Sequence, residues 1–550
     1  MADKQPNKEE ILGSINYTPP EKGWMETPAE IRQGMCCSGA KAKSLQAVGF
    51  PNARDWNPLD EDWKLPDNWQ EILIDGMRER LSKYRSFRLF MDICVRCGAC
   101  ADKCHFFIGT GDPKNMPVNR AELMRSVYRK YFTTPGKVLG KLAGARELDM
   151  KVLKEWWYYF FQCTECRRCS VFCPYGIDTA EITIMGRELL NLLGLNINWT
   201  MAPVADCYLK SNHLGIEPHT MLSLFESMCD DIEDVSGVRI TPSFNRKGAE
   251  ILFVTASGDY FADPGIYTNM GYLMLLHELG LDYTWSTYAS EGGNFGFFTS
   301  MEMAKRLNSK IYAEAKRLGV KYIIGGECGH MWRVMHQYMN TFNGPADFLE
   351  VPKSPVTGTV FENARATKMV HISEFLADAI KHGKLKFDKR RNDNLRVTFH
   401  DSCNTSRGMG ILEEPRYIIK NVCNNFFEMP DGTTREYTFC CGSGSGIGAG
   451  EDMELRMRGG LPRANAVKHV RDKYDVNTLA CICTIDRATL SVLMDYWNPG
   501  VKVAGVSELA ANAMIMKGEK ERETNLRGDP LPAVEEEAPV AEAAGGKANV

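Results

Sequence analysis

The chain has 550 residues, 44% hydrophobic and 25% charged, with 66 basic against 70 acidic side chains and a formal charge of −4. At roughly 100–200 residues per domain, that length predicts three or four folded units. The balance excludes a polybasic nucleic-acid binder, a collagen-like chain and a wholly disordered one. No apolar run approaches the roughly 18–20 residues of a membrane span, and MADKQPNKEEILGS lacks the apolar core and cleavage site of an export signal. A cytoplasmic location is expected, on a membrane only through a partner, with no nucleic-acid partner.

In chain order, residues 1–66 are rich in Pro, Asn, Gly and charge and read as an irregular extension. From Asn68 a helical pattern runs through WQEILIDGMRERLSKYRSFRLFMDI, and it resumes in AELMRSVYRKYF, ELDMKVLKEWWYYFF and TAEITIMGRELLNLLG. Residues 67–200 are therefore predicted to be mostly helical. After Lys247 the texture changes. AEILFVTAS reads as a buried strand, GIYTNMGYLMLLHELG and MEMAKRLNSKIYAEAKRLG as helices, and VKYIIGG as a second strand. The same order recurs as LRVTFHDS, EPRYIIKNVCNNFF, LPRANAVKHVRDKY and VNTLACI, pointing to parallel α/β units. A recurrence at an offset of about 145–154 residues predicts duplicated half-domains at 247–385 and 392–515, with the loop VPKSPVTGTVFENARATK between them. Residues 516–550 form a tail, expected to be disordered from Asp529. The expected fold is multidomain, α followed by α/β.

Nineteen cysteines without an export signal argue against a disulfide framework and for metal ligation. Cys94, Cys97, Cys100 and Cys104 form C-x-x-C-x-x-C-x-x-x-C, and Cys163, Cys166, Cys169 and Cys173 repeat it, with Pro174 following. In two-cluster ferredoxins the fourth cysteine of each run binds the other cluster. One cubane 4Fe–4S cluster is thus assigned to Cys94, Cys97, Cys100 and Cys173, and a second to Cys163, Cys166, Cys169 and Cys104. Zinc, usually bound by two Cys-x-x-Cys pairs, fits this pattern poorly. His105 stands where the run usually ends in proline, a departure that leaves the ligand set intact.

A third constellation comprises Cys403, Cys440–Cys441–Gly442, Cys481 and Cys483. His400-Asp401-Ser402-Cys403 closes one predicted strand and Cys481 another, and strand C-termini of a parallel sheet share one edge, where sites gather. Adjacent cysteines suit neighbouring irons of an open, noncubane 4Fe–4S cluster better than one iron of a cube. In the earlier half, Glu291-Gly292-Gly293 replaces Cys-Cys-Gly, and Glu327-Cys328-Gly329-His330 stands where Cys-x-x-Cys would be. Cys328 and His330 read either as remnants or as contributors facing the later site, with His330 or His400 as proton donor. Gly444-x-Gly446-x-x-Ala449 loosely matches a dinucleotide fingerprint. It follows paired cysteines, however, and no P-loop lysine is present, so no nucleotide is expected. Cys207, Cys229 and Cys423 read as buried hydrophobes. Cys36-Cys37 reads as either unremarkable thiols or a redox-active or partner-facing pair. Arg167 and Arg168 read as a solvated basic patch offsetting cluster charge, or as a docking point for an acidic partner.

The two runs, far apart in a helical region, resemble the α-helical ferredoxin domain of succinate dehydrogenase and fumarate reductase iron–sulfur subunits. The order Cys … Cys-Cys-Gly … Cys resembles the CCG domain of heterodisulfide reductase catalytic subunits, where each complete repeat holds a noncubane cluster that reduces a disulfide. Cys-Ile-Cys-Thr departs from the Cys-x-x-Cys of that family, which makes Cys481 a safer ligand than Cys483. The whole order resembles the heterodisulfide reductase D-subunit family. Its extension, Glu-Gly-Gly, GGECGHMW and ACICTID look most like K subunits of sulfite-reduction-associated membrane complexes (DsrK of DsrMKJOP). That resemblance implies a cytoplasmic subunit, peripheral on the inner membrane through a cytochrome b partner (DsrM-like) and other subunits. It would pass quinol-derived electrons through both cubanes to the disulfide or trisulfide of a small sulfur carrier (DsrC-like) in dissimilatory sulfate or sulfite reduction. The alternatives are an iron–sulfur subunit of a flavin-linked glycerol-3-phosphate, lactate or glycolate dehydrogenase, and a non-catalytic electron wire.

Overall fold

The computed structural model describes residues 63, 65–196, 198–444 and 453–532, without the side chains of 198–202, 205, 453 and 454. Cys36-Cys37, Gly446, Ala449 and most of the tail lie outside the described residues. The helical pattern from Asn68 becomes two helices, Trp69–Lys83 and Arg85–Asp92, because Tyr84 adopts an extended conformation between them. Pro117–Phe132 starts with proline, whose missing N–H costs nothing in a first turn. Met150–Phe161 is capped by Asp149 and Thr179–Asn191 by Asp178, each carboxylate accepting a backbone N–H of the first turn. These helices bury Trp156, Phe160, Ile182, Leu189 and Leu190 in one apolar core. Gly186 permits the close crossing: a Cβ there would lie 2.5 Å from the Phe160 ring.

Two parallel sheets follow. The first has the order β2-β1-β3-β4, from β1 (Ile251–Val254), β2 (Tyr283–Thr284), β3 (Tyr322–Gly325) and β4 (Met369–His371). The second has the order β5-β6-β7, from β5 (Val397–His400), β6 (Thr478–Cys481) and β7 (Lys502–Gly505). Registers such as Val254↔Gly325 and His400↔Cys481 bring the strand ends to a common edge in each sheet. β1, β3, β5 and β6 are buried at every residue, as parallel strands covered on both faces must be. The four strands anticipated from the sequence are these four.

A buried ion cluster joins the sheets. Arg487, in the helix Thr484–Trp497 after β6, donates to Glu327 Oε2 at 2.8 Å and also pairs with Asp259. Thr484 Oγ1 adds a 2.8 Å bond to Asp259 Oδ1, and Ser507 N and Oγ both donate to Glu327 Oε1 at 2.7 Å. With its charges and hydroxyls so paired, this seam holds the strand ends of the two sheets against each other.

Candidate metal centres

The two cysteine runs follow the same backbone path. Arg96 (φ 56°) and Gly98 (φ 78°) are left-handed in the first, and Glu165 (φ 54°) and Arg167 (φ 61°) at the matching places in the second. Such turns aim successive amide groups into a concavity, which suits an anionic cluster. Cys94, Cys97, Cys100 and Cys173 all line one cavity, and Cys97 is exposed at its rim. Burial raises the Cys100 thiol, with Cys173 and Cys94 adding to the rise. Around the second run, the buried Arg120 guanidinium bonds Cys104 and lies beside Cys163 and Cys169. Burial works to raise the Cys104 thiol, but the charges of Arg120 and His105 outweigh it and hold it low.

Glu165 fixes the second loop. It is fully buried between Arg187 Nη1 at 2.9 Å and Arg333 Nη1 at 2.7 Å, while Arg187 Nη2 also donates to Cys163 O at 2.7 Å. Arg167 and Arg168 are not a solvated patch. Arg167 pairs with Asp178 at 2.8 Å and donates to Gln337 and Tyr338. Arg168 donates to Tyr437 O, Lys103 O and Gly432 O at 2.9, 3.0 and 3.2 Å, and covers the Phe439 ring at 3.9 Å. A guanidinium offers five donors, and carbonyls left bare where three loops meet take them up.

The third constellation forms where β5 and β6 end. Cys403 opens the helix Cys403–Met409 two residues after Asp401. Cys440 is the common partner of Cys166, Cys403 and Cys441, whose hydrogen bonds hold its thiol well below the ordinary range against burial. The same bonds and burial push Cys166, Cys403 and Cys441 upward. Cys166 of the second run thus lies against the later cysteines while also neighbouring Cys169. His105 joins the group: its Nδ1 is 2.8 Å from Gly459 O, its Nε2 is 2.8 Å from Thr164 Oγ1, and it bonds Cys440. Burial would lower the His105 pKa, yet Cys440 and Cys104 raise it.

Asp486, fully buried in the first turn of the helix after Cys483, connects the remaining groups. Burial would raise its carboxyl, but His400, with Nε2 at 3.3 Å, and bonds from Cys441 and Ser402 bring it below the usual range. Cys481 and Cys483 are buried at the adjoining strand end, and burial followed by the Asp486 charge pushes Cys483 to about 12. His330, in the first turn of the helix Gly329–Gln337, faces Asp486 and Cys440, and burial lowers its pKa. A Cβ on Gly444 would lie 3.2 Å from His330 Nε2 and 3.0 Å from Thr164 O, so glycine lets this loop settle on both.

Cys403, Cys440 and Cys441 therefore converge, with His330 and His400 gathered on Asp486 and Cys481 and Cys483 alongside. Sequence reasoning missed Asp486, His105 as a neighbour of Cys440, and the placement of Cys166. The usable signals were His105 departing from proline and an acid three residues after Cys483. Among the described residues, no three His, Cys, Asp or Glu side chains meet in the geometry of a single metal ion. What fits iron–sulfur clusters is the donor set, soft thiols in three groups with cationic and amide neighbours. Near the strand ends of the first sheet stand Ser257 and Glu291. Ser257 N donates to Glu291 Oε2 at 2.6 Å, and His213 Nδ1 lies 2.6 Å from Glu291 Oε1. Cys207, Cys229 and Cys423 are buried, as read from their isolation.

Residues 90–177 match a 4Fe-4S dicluster domain and residues 397–484 a cysteine-rich domain of the CCG type. The chain is similar to an Hdr-like menaquinol oxidoreductase iron-sulfur subunit of Archaeoglobus profundus, 51% identical over 92% of this chain and 96% of the relative. A second such protein, from Archaeoglobus fulgidus, is 52% identical over 86% of this chain and 88% of its own length. The chain belongs to the heterodisulfide-reductase-like family of iron–sulfur subunits. The D-subunit of the dihydromethanophenazine:CoB–CoM heterodisulfide reductase of Methanosarcina acetivorans is a more distant relative, 24% identical over 77% of this chain and 94% of that one. This Hdr-like protein is an iron–sulfur oxidoreductase component in which the dicluster span covers both runs and the cysteine-rich span covers Cys403 to Cys483. Among its described residues, no helix is long and apolar enough to cross a membrane.

Proposed function

We propose that this chain is the disulfide-reducing component of a membrane-associated complex, drawing electrons from a quinol and delivering them to an S–S bond. The observation that carries the reading is the placement of Cys166 beside Cys440, with Arg407 of the helix that Cys403 opens donating to Cys166 O at 2.7 Å: the ferredoxin runs lie directly against the CCG thiols. A passive wire would have no need to lead inward to a buried group of thiols with histidines and a carboxylate. The menaquinol in the names of the relatives supports the donor side. In finer terms, the chain would be a K-type subunit on a cytochrome b partner, serving a DsrC-like sulfur carrier in sulfate or sulfite reduction.

Cys94, Cys97, Cys100 and Cys173 would hold one cubane, and Cys163, Cys166, Cys169 and Cys104 the other. Cys403, Cys440, Cys441 and Cys481, with Cys483, would hold a noncubane cluster. When bound, the cubanes supply one-electron transfer and the noncubane cluster an open iron for sulfur. The chain manages the protons. Cleaving RS–SR′ takes two electrons and two protons and gives RSH and R′SH. Asp486 fixes His400 at 3.3 Å, and His330 faces the same carboxylate, so either imidazole is positioned to protonate a departing thiolate. Burial of Cys440, Cys441, Cys481 and Cys483 keeps bulk water from them. The α/β part would consist of duplicated halves at 247–385 and 392–515, the first having kept Cys328 alone of its thiols.

The test is anaerobic. Three four-iron clusters require about 12 irons per chain, and a bare ferredoxin pair about 8. A paramagnetic species that appears on oxidation only when a thiol substrate is present supports disulfide chemistry, and its absence from protein carrying about 12 irons would overturn it. Co-purification with a haem b protein rather than a flavoprotein tests the donor side.

A further inference from the structure

We infer that Cys328 is a thiolate ligand of the third cluster, contributed by the first sheet across the seam; this rests on the reading above that the later cysteines hold such a cluster. The residue that would close a Cys-x-x-Cys after Cys481 is Thr484. Its hydroxyl is committed to Asp259 Oδ1 at 2.8 Å and Glu327 O at 3.2 Å, so it offers nothing to the thiol group. The place that completes the motif is thus without a thiol; Cys483 stands one residue short of it, and Cys328 would join the later five as a further ligand.

Cys483 shows the direction. It caps the helix Thr484–Trp497, and its sulfur accepts the backbone N–H groups of Gly329 and Asp486, which turns it toward the seam. Cys328 faces it there, fully buried, as the cap of the helix Gly329–Gln337, with its own sulfur accepting the N–H of Met331. A Cβ on Gly329 would lie 3.4 Å from Cys483 Sγ and 3.4 Å from Asn404 Cβ. The segment bearing Cys328 is therefore packed directly on Cys483 and on the helix that Cys403 opens, and glycine keeps the approach free.

Two further features fit a ligand better than a core thiol. His330, two residues on, faces Cys440 and Asp486, so one turn of the first sheet presents both groups to the later site. Amide N–H groups directed at sulfur are a usual companion of cluster thiolates.

The experiment uses the full chain, purified anaerobically with its clusters, as wild type and as Cys328→Ala, Cys328→Ser and Cys423→Ala. Iron per chain and Mössbauer and EPR spectra are recorded. Cys328→Ala should lose between about one and four of about 12 irons and change or lose the third-cluster spectrum, leaving both cubane spectra intact. Cys328→Ser, which keeps the shape with a harder donor, should retain more iron with a shifted spectrum. Cys423→Ala, a buried thiol elsewhere, should match wild type. Wild-type iron and an unshifted third-cluster spectrum in either Cys328 variant would overturn the assignment. A wild type with only about 8 irons would instead remove the third-cluster reading, and the assignment with it.

Discussion

Arg333 Nη1 donates to Glu165 Oε2 at 2.7 Å, tying the helix after β3 to the residue between Cys163 and Cys166. With Arg187 on the other oxygen, this carboxylate sits between two guanidinium groups and fixes a left-handed turn in the second run. Glu165→Gln strands two buried cations, a loss on the order of 3 kcal/mol or more. Thermal unfolding should move down by several degrees, and iron should fall by about one cluster's worth, about 4 per chain. Unchanged iron would mean the turn forms without the clamp.

Arg487 supports a second prediction. Arg487→Met leaves Asp259 and Glu327 buried without their cation, at a cost of about 3–5 kcal/mol. Limited proteolysis should open the region between the sheets at lower temperature than in wild type. The triple variant Asp259→Asn, Glu327→Gln, Arg487→Met should recover much of the loss, since neutral groups need no counter-charge.

The pair His213–Glu291 gives a pH signature away from the thiol groups. Burial would lower the His213 pKa from its ordinary 6.5, but the Glu291 charge and hydrogen bond raise it. Its contribution to stability is full below pH 6.5 and fades as pH rises through the raised folded value. For Glu291, burial would raise the carboxyl above its ordinary 4.5, yet His213 and two backbone N–H bonds bring it lower. That contribution is full above pH 4.5 and fades as pH falls through the lowered value. Melting temperature should therefore carry a shoulder between pH 4.5 and 6.5 that His213→Gln removes. A His213→Gln profile parallel to wild type would show that the pair does not titrate with folding.

Gly186 tests the packing of the helical part. Gly186→Ala drives a methyl to within 2.5 Å of the Phe160 ring and should cost about 1–3 kcal/mol. Adding Phe160→Leu should return part of it, and denaturant midpoints would measure both steps.

The sequence made β1, β3, β5 and β6 readable because each is a short run rich in apolar and β-branched residues ending at a turn. β2, with two residues, and β4 and β7, flanked by charge, carry too little pattern to be distinguished from loop. The thiol runs were equally plain, since their spacing is local. Contacts between distant segments were not. Nothing near Cys166 marks Cys440 as its neighbour, and nothing near Asp486 marks His330. Arg167 and Arg168 misled for the same reason: their acceptors are carbonyls and side chains from other loops, which no local pattern encodes.

The single guanidinium of Arg168 touches carbonyls just before Cys104 and in the loop leading to Cys440, and lies on the ring of Phe439. Chains fold broadly from the amino end as they are made, so the helical portion is in place before residues 432–441 emerge to meet it. The two portions expressed apart would therefore each leave part of this guanidinium's contacts unmade.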